Sequence, residues 1–254
     1  MTDSRQLSGD VCIVTHAGRD LGRSIAGRLA AEGARVVVVD TDEGRGRDTE
    51  EAIRAGDVPG DAKFVRADLT DEVAVKGVVH AVADEWGGVD GLVNTSVATA
   101  GERVPDTDDR TRDADESVLE MSEQTWDHAV AVTLKSAFFC TKHAAPIMAE
   151  SDGGAIVNVA TESPHRGVPE AVAACTTAGG LCSFTRQTAV DLADHDVRVN
   201  MLHVSGDERS PSRDARTEDY TDDYTAAVAY LLSADAAFLT GVDLSVDGGT
   251  LPTS

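Results

Sequence analysis

The alternation of short apolar runs with longer segments that can each hold one helix is the feature that most constrains how this chain folds. Parallel strands need a crossover helix between them, so this βαβ pattern predicts a doubly wound α/β fold, with a seven-stranded parallel sheet and helices on both faces. We predict strands at Val11–Thr15, Arg35–Asp40, Lys63–Arg66, Gly91–Asn94, Ala155–Ala160, Val197–Leu202 and Asp243–Val246. Helices are expected near residues 20–32, 44–55, 71–86, 123–149, 171–194 and 223–233.

The length of 254 residues suits one large α/β domain, and we expect a single domain over residues 1–254. The segment at about 101–120, GERVPDTDDRTRDADESVLE, has almost no apolar residues and is expected to be a solvated acidic insertion. The amino terminus is polar, and no run of about 18 apolar residues is present. We therefore expect a soluble, cytoplasmic protein.

Acidic residues dominate the composition: 45 Asp and Glu against 22 Lys and Arg give a net charge of −23. A charge of this size repels nucleic acid and anionic membranes, so neither is expected as a partner. The acid excess, together with few lysines, resembles proteins of salt-accumulating halophiles; the alternative is an ordinarily acidic mesophilic protein. No Cys or His cluster has metal-binding spacing, so no metal is expected, and the four cysteines are interpreted as free thiols.

Seven segments, in order along nearly the whole chain, carry a family resemblance. They are VCIVTHAGRDLGRSIAGRLAAEGARVVVVD, RADLTDE, LVNTS, EQTWDHAVAVTLKSAFFCTKHAAPIM, GGAIVNVATES, GGLCSFTRQTAVDLADHDVRVN and LLSADAAFLTGVDLSVDGG. Together they resemble the classical short-chain dehydrogenase/reductase family. The resemblance implies a Rossmann-type fold, a nicotinamide dinucleotide cofactor and oxidoreductase chemistry.

The first segment combines a strand, a tight turn and a helix amino terminus, which together cradle a dinucleotide pyrophosphate. The family turn TGxxxGxG reads THAGRDLG here, so only its last glycine, Gly22, is present. A carboxylate at Asp20, roughly 5 Å from a phosphate oxygen, would cost about 3 kcal/mol at an effective dielectric near 20. We therefore expect NAD binding to be weakened. The candidate cofactor residues of the turn are Thr15, Gly18, Arg19, Leu21 and Gly22.

Three more residues match cofactor positions of the family. The resemblance implies that Asp40 binds the ribose hydroxyls and disfavours NADP, and that Asp68 meets the adenine. Asn94 begins the element NTSV, where the family has NNAG. The alternative interpretation is that Asp40 and Asp68 are simply polar residues that end strands.

The family's catalytic groups are absent from the positions that match them. The resemblance implies a tyrosine, a lysine four residues later, a serine and an asparagine, whereas this chain has Ala174, Ala178, Thr161 and Thr133 there. Alanine can neither donate a proton nor carry charge, so family chemistry is not expected. The first hypothesis is a catalytically silent scaffold, partner subunit or nucleotide sensor. The alternative is an NAD-dependent oxidoreductase for an alcohol or ketone with non-standard catalytic residues, for which the candidates are His165, His203, Cys175, Thr176 and Thr177.

The end of the chain departs from the family in a second way. The element NxVxPG has serine in place of proline, and the following lid, at about 207–221, is short and polar. In many relatives the helices that match 123–149 and 171–194 form the subunit interface. We therefore expect a homo-oligomer, dimer or tetramer, or a hetero-oligomer with an active relative.

Overall fold

The computed structural model describes residues 6–18, 20–95, 117–160, 167–204 and 220–247. The strands are β1 (Val11–Thr15), β2 (Arg35–Asp40), β3 (Asp61–Arg66), β4 (Gly91–Thr95), β5 (Gly154–Ala160), β6 (Val197–Val204) and β7 (Asp243–Val246). The helices are α1 (Asp20–Ala31), α2 (Glu43–Ala55), α3 (Glu72–Trp86), α4 (Glu123–Val130), α5 (Ser136–Ala149), α6 (Val172–Leu192) and α7 (Tyr220–Leu232). Short 3-10 turns occupy Ala193–His195 and Ala234–Ala236.

Within these ranges the seven strands form one sheet in the order β3-β2-β1-β4-β5-β6-β7, and all neighbours are parallel. The predicted fold class and the predicted strands are confirmed, with strand ends that shift by up to two residues. The helix predicted over 123–149 is instead divided into α4 and α5 by a π-helical segment, Ala131–Lys135. A π segment inserts one residue into a turn, which apolar periodicity does not reveal.

Two apolar layers cover the two faces of the sheet. Along β2 the valines alternate, because successive strand side chains point to opposite faces. Val36 and Val38 pack in the cluster that includes α1 and α7, and Val37 and Val39 pack in the cluster that includes α3 and α5. A doubly wound arrangement follows from this burial of both faces.

Polar caps set where several helices begin. Asp42 precedes α2 and accepts from the backbone N–H of Arg45, and Asp71 precedes α3 and accepts from Val73 N–H. Each carboxylate satisfies a donor that the first helical turn leaves without a partner. Among the described helices, none combines the length and the hydropathy needed to cross a bilayer.

Two expected loops fall mainly on residues outside the described ranges. Only residues 117–120 of the acidic insertion at 101–120 are described, and they form a turn that precedes α4. Of the short lid at 207–221, only the first two residues of α7 are described. The single domain over 1–254 stays a prediction.

Candidate functional site

The candidate site lies at the carboxyl ends of the strands, where the order of the sheet reverses between β1 and β4. In a doubly wound sheet, chain connections leave in opposite directions at this point and open a crevice that binds ligands. Thr15 ends β1, Asp40 ends β2, and Asn94 is the next-to-last residue of β4. The fold thus brings these three predicted cofactor residues to one edge of the sheet.

The turn between β1 and α1 keeps a glycine-like backbone although a glycine is missing. His16, at the position of the first family glycine, has a φ of 49°. A left-handed φ costs a non-glycine residue about 1–2 kcal/mol. The His16 Nδ1 atom lies 3.0 Å from the carbonyl oxygen of Thr95, a contact that ties the turn to β4. The tight turn therefore survives the substitution.

Gly22 lets α1 pack closely against the same turn. A Cβ atom at Gly22 would lie 2.5 Å from the His16 carbonyl oxygen and 3.0 Å from the Cα of Ala17, so any side chain would displace backbone. Leu21, in the first turn of α1, is partly buried and packs against the core cluster that includes α1 and α7. Arg19 and the side chain of Asp20 lie outside the described residues.

The Asp40 carboxylate is buried and held in place by backbone donors. One of its oxygens accepts from Gly18 N–H at 2.9 Å, and the other accepts from Asp42 N–H at 2.9 Å. A Cβ atom at Gly18 would lie 2.7 Å from Asp40 Oδ2, so glycine is required for this approach. The carboxylate therefore fixes the turn between β1 and α1.

Thr15 and Asn94 contribute mainly to the interior of the fold. The Thr15 hydroxyl donates to the carbonyl of Val93 at 3.3 Å and accepts from Thr95 N–H at 3.0 Å. The Asn94 amide donates to Asn158 Oδ1 at 2.8 Å, across the β4–β5 pair. Both side chains thus link neighbouring strands at the switch point.

Asp68 lies in the loop after β3 and is exposed. One of its oxygens accepts from the backbone N–H of Thr70 at 2.9 Å and from its hydroxyl at 2.7 Å. This Asx-type turn orients the residues that lead into α3. The Asp68 carboxylate thus has hydrogen-bond partners within its own loop.

The positions that match the family's tyrosine and lysine lie one turn apart on α6. Ala174 and Ala178 are 3% and 2% exposed. Ala178 packs in a small cluster with Ala160, at the end of β5, and Ala137, in the first turn of α5. Buried methyl side chains therefore occupy the two positions that the resemblance matches to the tyrosine and the lysine. Thr161 lies outside the described residues.

Thr133, at the position of the family's asparagine, lies within the π segment. There the Ser136 N–H donates to the Ala131 carbonyl, five residues earlier. Thr133 is 1% exposed, and its hydroxyl has no hydrogen-bond partner among the described residues. Such π turns often occur at functional sites, because they displace the helix backbone from its regular bonding. Sequence periodicity missed this distortion.

No lysine of the chain lies on α6. The four lysines are Lys63, Lys76, Lys135 and Lys142, which lie on β3, α3, the π segment and α5, and none is buried. Tyr224 and Tyr230 lie on α7, and the side chain of Tyr220 is outside the described residues. α6, which is described in full, therefore carries neither a tyrosine nor a lysine.

A polar trio, of which the sequence analysis named only His203, lies one turn of α6 beyond Ala178. Cys182 donates to Asp243 Oδ2 at 3.0 Å, and His203 Nε2 lies 2.5 Å from Asp243 Oδ1. Burial, and then the neighbouring carboxylate, raises the pKa of the Cys182 thiol to about 11. These residues come from α6, β6 and β7, so no short-range spacing in the sequence connects them.

Comparison with known families gives one consistent result. The short chain dehydrogenase family matches residues 10–220. A D-threitol dehydrogenase from Mycolicibacterium smegmatis is 30% identical over 261 residues, which cover 96% of this chain and 94% of the relative. A meso-2,3-butanediol dehydrogenase from Serratia marcescens is 30% identical over 259 residues, 96% of this chain and 95% of that protein.

Solved structures agree with the sequence relatives. A putative short-chain alcohol dehydrogenase from Sinorhizobium meliloti has a TM-score of 0.79 and 31% identity, and the alignment covers 96% of this chain and 97% of that one. A short-chain type dehydrogenase/reductase from Mycobacterium marinum has a TM-score of 0.84 and 25% identity, covering 98% of each chain.

Proposed function

Since this chain belongs to the short-chain dehydrogenase/reductase family, we propose that it is a non-catalytic member of these oxidoreductases, with a weakened NAD site. The observation that carries the proposal is the pair of buried alanines, Ala174 and Ala178, one turn apart on α6. Its role is then that of a scaffold, a partner subunit or a nucleotide sensor.

The chemical reason is the loss of proton transfer. Oxidation of an alcohol requires that the hydroxyl proton leave as the hydride leaves carbon, and a positioned acid/base contributes about 10²–10⁴-fold to such a step. Methyl groups at Ala174 and Ala178 can neither accept that proton nor hold a positive charge beside the acceptor. The dehydrogenase activities in the names of the relatives are therefore not carried over to this chain.

The remaining site residues fit the adenosine half of NAD better than its nicotinamide half. NAD, when bound, supplies the hydride acceptor. The buried Asp40 carboxylate and the close approach at Gly18 suit ribose hydroxyls, and a carboxylate there disfavours the phosphate of NADP. The absent lysine removes a donor to the nicotinamide ribose, and an aspartate at position 20 opposes the pyrophosphate.

A second candidate is an NAD-dependent alcohol or ketone oxidoreductase with His203 as its acid/base. The observation in its favour is the His203–Asp243 pair, because a carboxylate that orients a histidine is the usual arrangement of an activated base. The burial of His203, at 1% exposure, weighs against it, since an acid/base must reach the substrate.

Nucleotide titration and turnover assays on the purified protein in molar salt separate the two candidates. We expect saturable thermal stabilisation by NAD, stronger than by NADP, and no NADH formation from D-threitol or meso-2,3-butanediol. Turnover that copurifies with the protein and is lost in His203→Gln would establish the second candidate. Absence of any response to NAD would remove the sensor role and leave scaffold or partner.

Restoration of the missing pair tests the alignment. The double variant Ala174→Tyr/Ala178→Lys is compared with Cys175→Tyr/Gly179→Lys, which has the same spacing one residue out of register. NADH formation by the first variant alone would support the register, and equal activity in both would refute it. Thermal unfolding of each variant shows whether it is folded.

The partner proposal rests on the outer face of α5 and α6. A groove of about 580 Å³ lies between these helices and is bordered by Phe138, Pro146 and Phe184. Phe138 is 45% exposed and lies at the edge of this apolar groove. We propose that a second copy, or an active relative, covers this face. Light scattering of wild type and Phe138→Asp, with loss of the oligomer expected in the variant, is the measurement.

A further inference from the structure

Three metal-ligating side chains of different chemistry converge beneath the candidate catalytic position. Cys182 comes from α6, His203 from β6 and Asp243 from β7, and one ligand atom of each lies within 4.8 Å of the others. Cys182 and His203 are 3% and 1% exposed, and the Asp243 side chain is 12% exposed. Three tertiary elements thus deliver a thiol, an imidazole and a carboxylate to one point.

The distances suit a small tetrahedral ion after a minor rearrangement. With metal–ligand bonds of about 2.0–2.3 Å, donor atoms of a tetrahedral zinc site lie roughly 3.2–3.7 Å apart. Here Sγ of Cys182 is 3.0 Å from Asp243 Oδ2, and Nε2 of His203 is 2.5 Å from Asp243 Oδ1. Side-chain movements of less than about 1 Å would therefore open the site.

The electrostatics also favour a cation. The Asp243 carboxylate faces both the Cys182 thiol and the His203 ring, so a negative charge already lies between the two other ligands. Arg186 offers a positive charge at 3.3 Å from Asp243 Oδ2, but its side chain is 56% exposed and its charge is largely screened by water. A divalent ion would satisfy the carboxylate and the thiolate together, and thiolate with imidazole selects zinc over magnesium or calcium.

We propose that Cys182, His203 and Asp243 bind one zinc ion, with water at the fourth position. On binding, the S–H bond of Cys182 breaks, a zinc–sulfur bond forms, and the proton leaves to solvent. The ion would join α6 to β6 and β7, one helical turn from Ala178. The proposal goes beyond the NAD site and does not depend on it.

Cobalt is the probe, because a thiolate ligand gives Co²⁺ an intense charge-transfer absorption and a tetrahedral site gives it visible bands. The full chain is treated with chelator and titrated with Co²⁺ and then Zn²⁺ in molar sodium sulfate, since chloride is itself a ligand. We expect one Co²⁺ per chain, displaced by Zn²⁺. Cys182→Ser should lose the charge-transfer band. It should also weaken zinc binding by at least about 100-fold, because even the loss of a residue that only supports a metal ligand costs up to about that factor.

Cys175→Ser is the matched control, because Cys175 is the most exposed of the four thiols. It should keep the absorption band and the zinc affinity. Loss of the band in Cys175→Ser but not in Cys182→Ser, or no band in wild type, would overturn the proposal. X-ray absorption on zinc-loaded wild type needs no variant: one sulfur with N/O ligands supports the site, and a sulfur-free shell refutes it.

Discussion

Replacement of Gly22 by alanine tests how tightly the nucleotide-binding turn is packed. A Cβ there would lie 2.5 Å from the carbonyl oxygen of His16 and 3.0 Å from the Cα of Ala17. Ordinary contacts begin near 3.4 Å, so α1 or the turn must move by about 1 Å. Such overpacking costs about 1–3 kcal/mol. We expect Gly22→Ala to destabilise the protein by about 2 kcal/mol.

Gly27 supplies the matched control in the same helix. A Cβ atom at Gly27 would meet nothing within 4 Å, so Gly27→Ala should gain the helix preference of alanine, about 1 kcal/mol. The two variants should differ by about 3 kcal/mol, which separates their midpoints in thermal unfolding by roughly 6–12 °C for a chain of this length. The comparison is made by circular dichroism in molar salt. Equal stabilities would refute the packing argument.

Three further predictions follow from burial and charge. Asp40→Asn should lower the free energy of unfolding, measured with denaturant, by about 1.5–3 kcal/mol, because a carboxylate that accepts two backbone N–H groups is lost. The exposed control Asp68→Asn should lower it by less than about 0.5 kcal/mol. Similar losses in the two variants would contradict this prediction. Burial raises the thiol pKa of Cys12 and holds those of Cys140 and Cys182 at about 12 and about 11. Unfolded thiols ionise near pH 8.5, so the free energy of unfolding should fall above about pH 9, by up to about 1.4 kcal/mol per pH unit for each thiol, and less steeply in Cys140→Ala. The midpoint of thermal unfolding should rise between 0.1 and 2 M NaCl, because screening relieves the repulsion of a net charge of −23; a flat response would argue against a halophilic protein.

The fold was predictable because its signal repeats along the chain. Each buried strand is a short run such as RVVVVD in β2, whose two faces both pack on helices, so the run needs no polar alternation. Boundaries were less predictable where the sheet extends into polar residues. β3 begins at Asp61 rather than Lys63, because backbone pairing with β2 continues past the apolar run.

The sequence predicted candidate site residues only where their positions can be counted along a single element. Ala174 and Ala178 are located by counting residues along α6, and both lie on the buried side of that helix. The π segment around Thr133 depends on how α4 and α5 meet, and Cys182, His203 and Asp243 depend on three separate elements. Long-range convergence of this kind leaves no local pattern in the sequence.

The presence of residues that match the family's cofactor positions does not by itself establish that this protein binds a cofactor. Gly22 is required by backbone packing, Asp40 satisfies two N–H groups, and Asn94 bridges β4 and β5. Each would be costly to replace even in a chain that never meets NAD, because Gly22 has no room for a side chain and the two polar residues must keep their buried partners. Ala174 and Ala178 are buried as well, and Ala178 packs with Ala137 and Ala160. Direct titration with NAD is therefore the measurement that separates a working nucleotide site from a purely structural one.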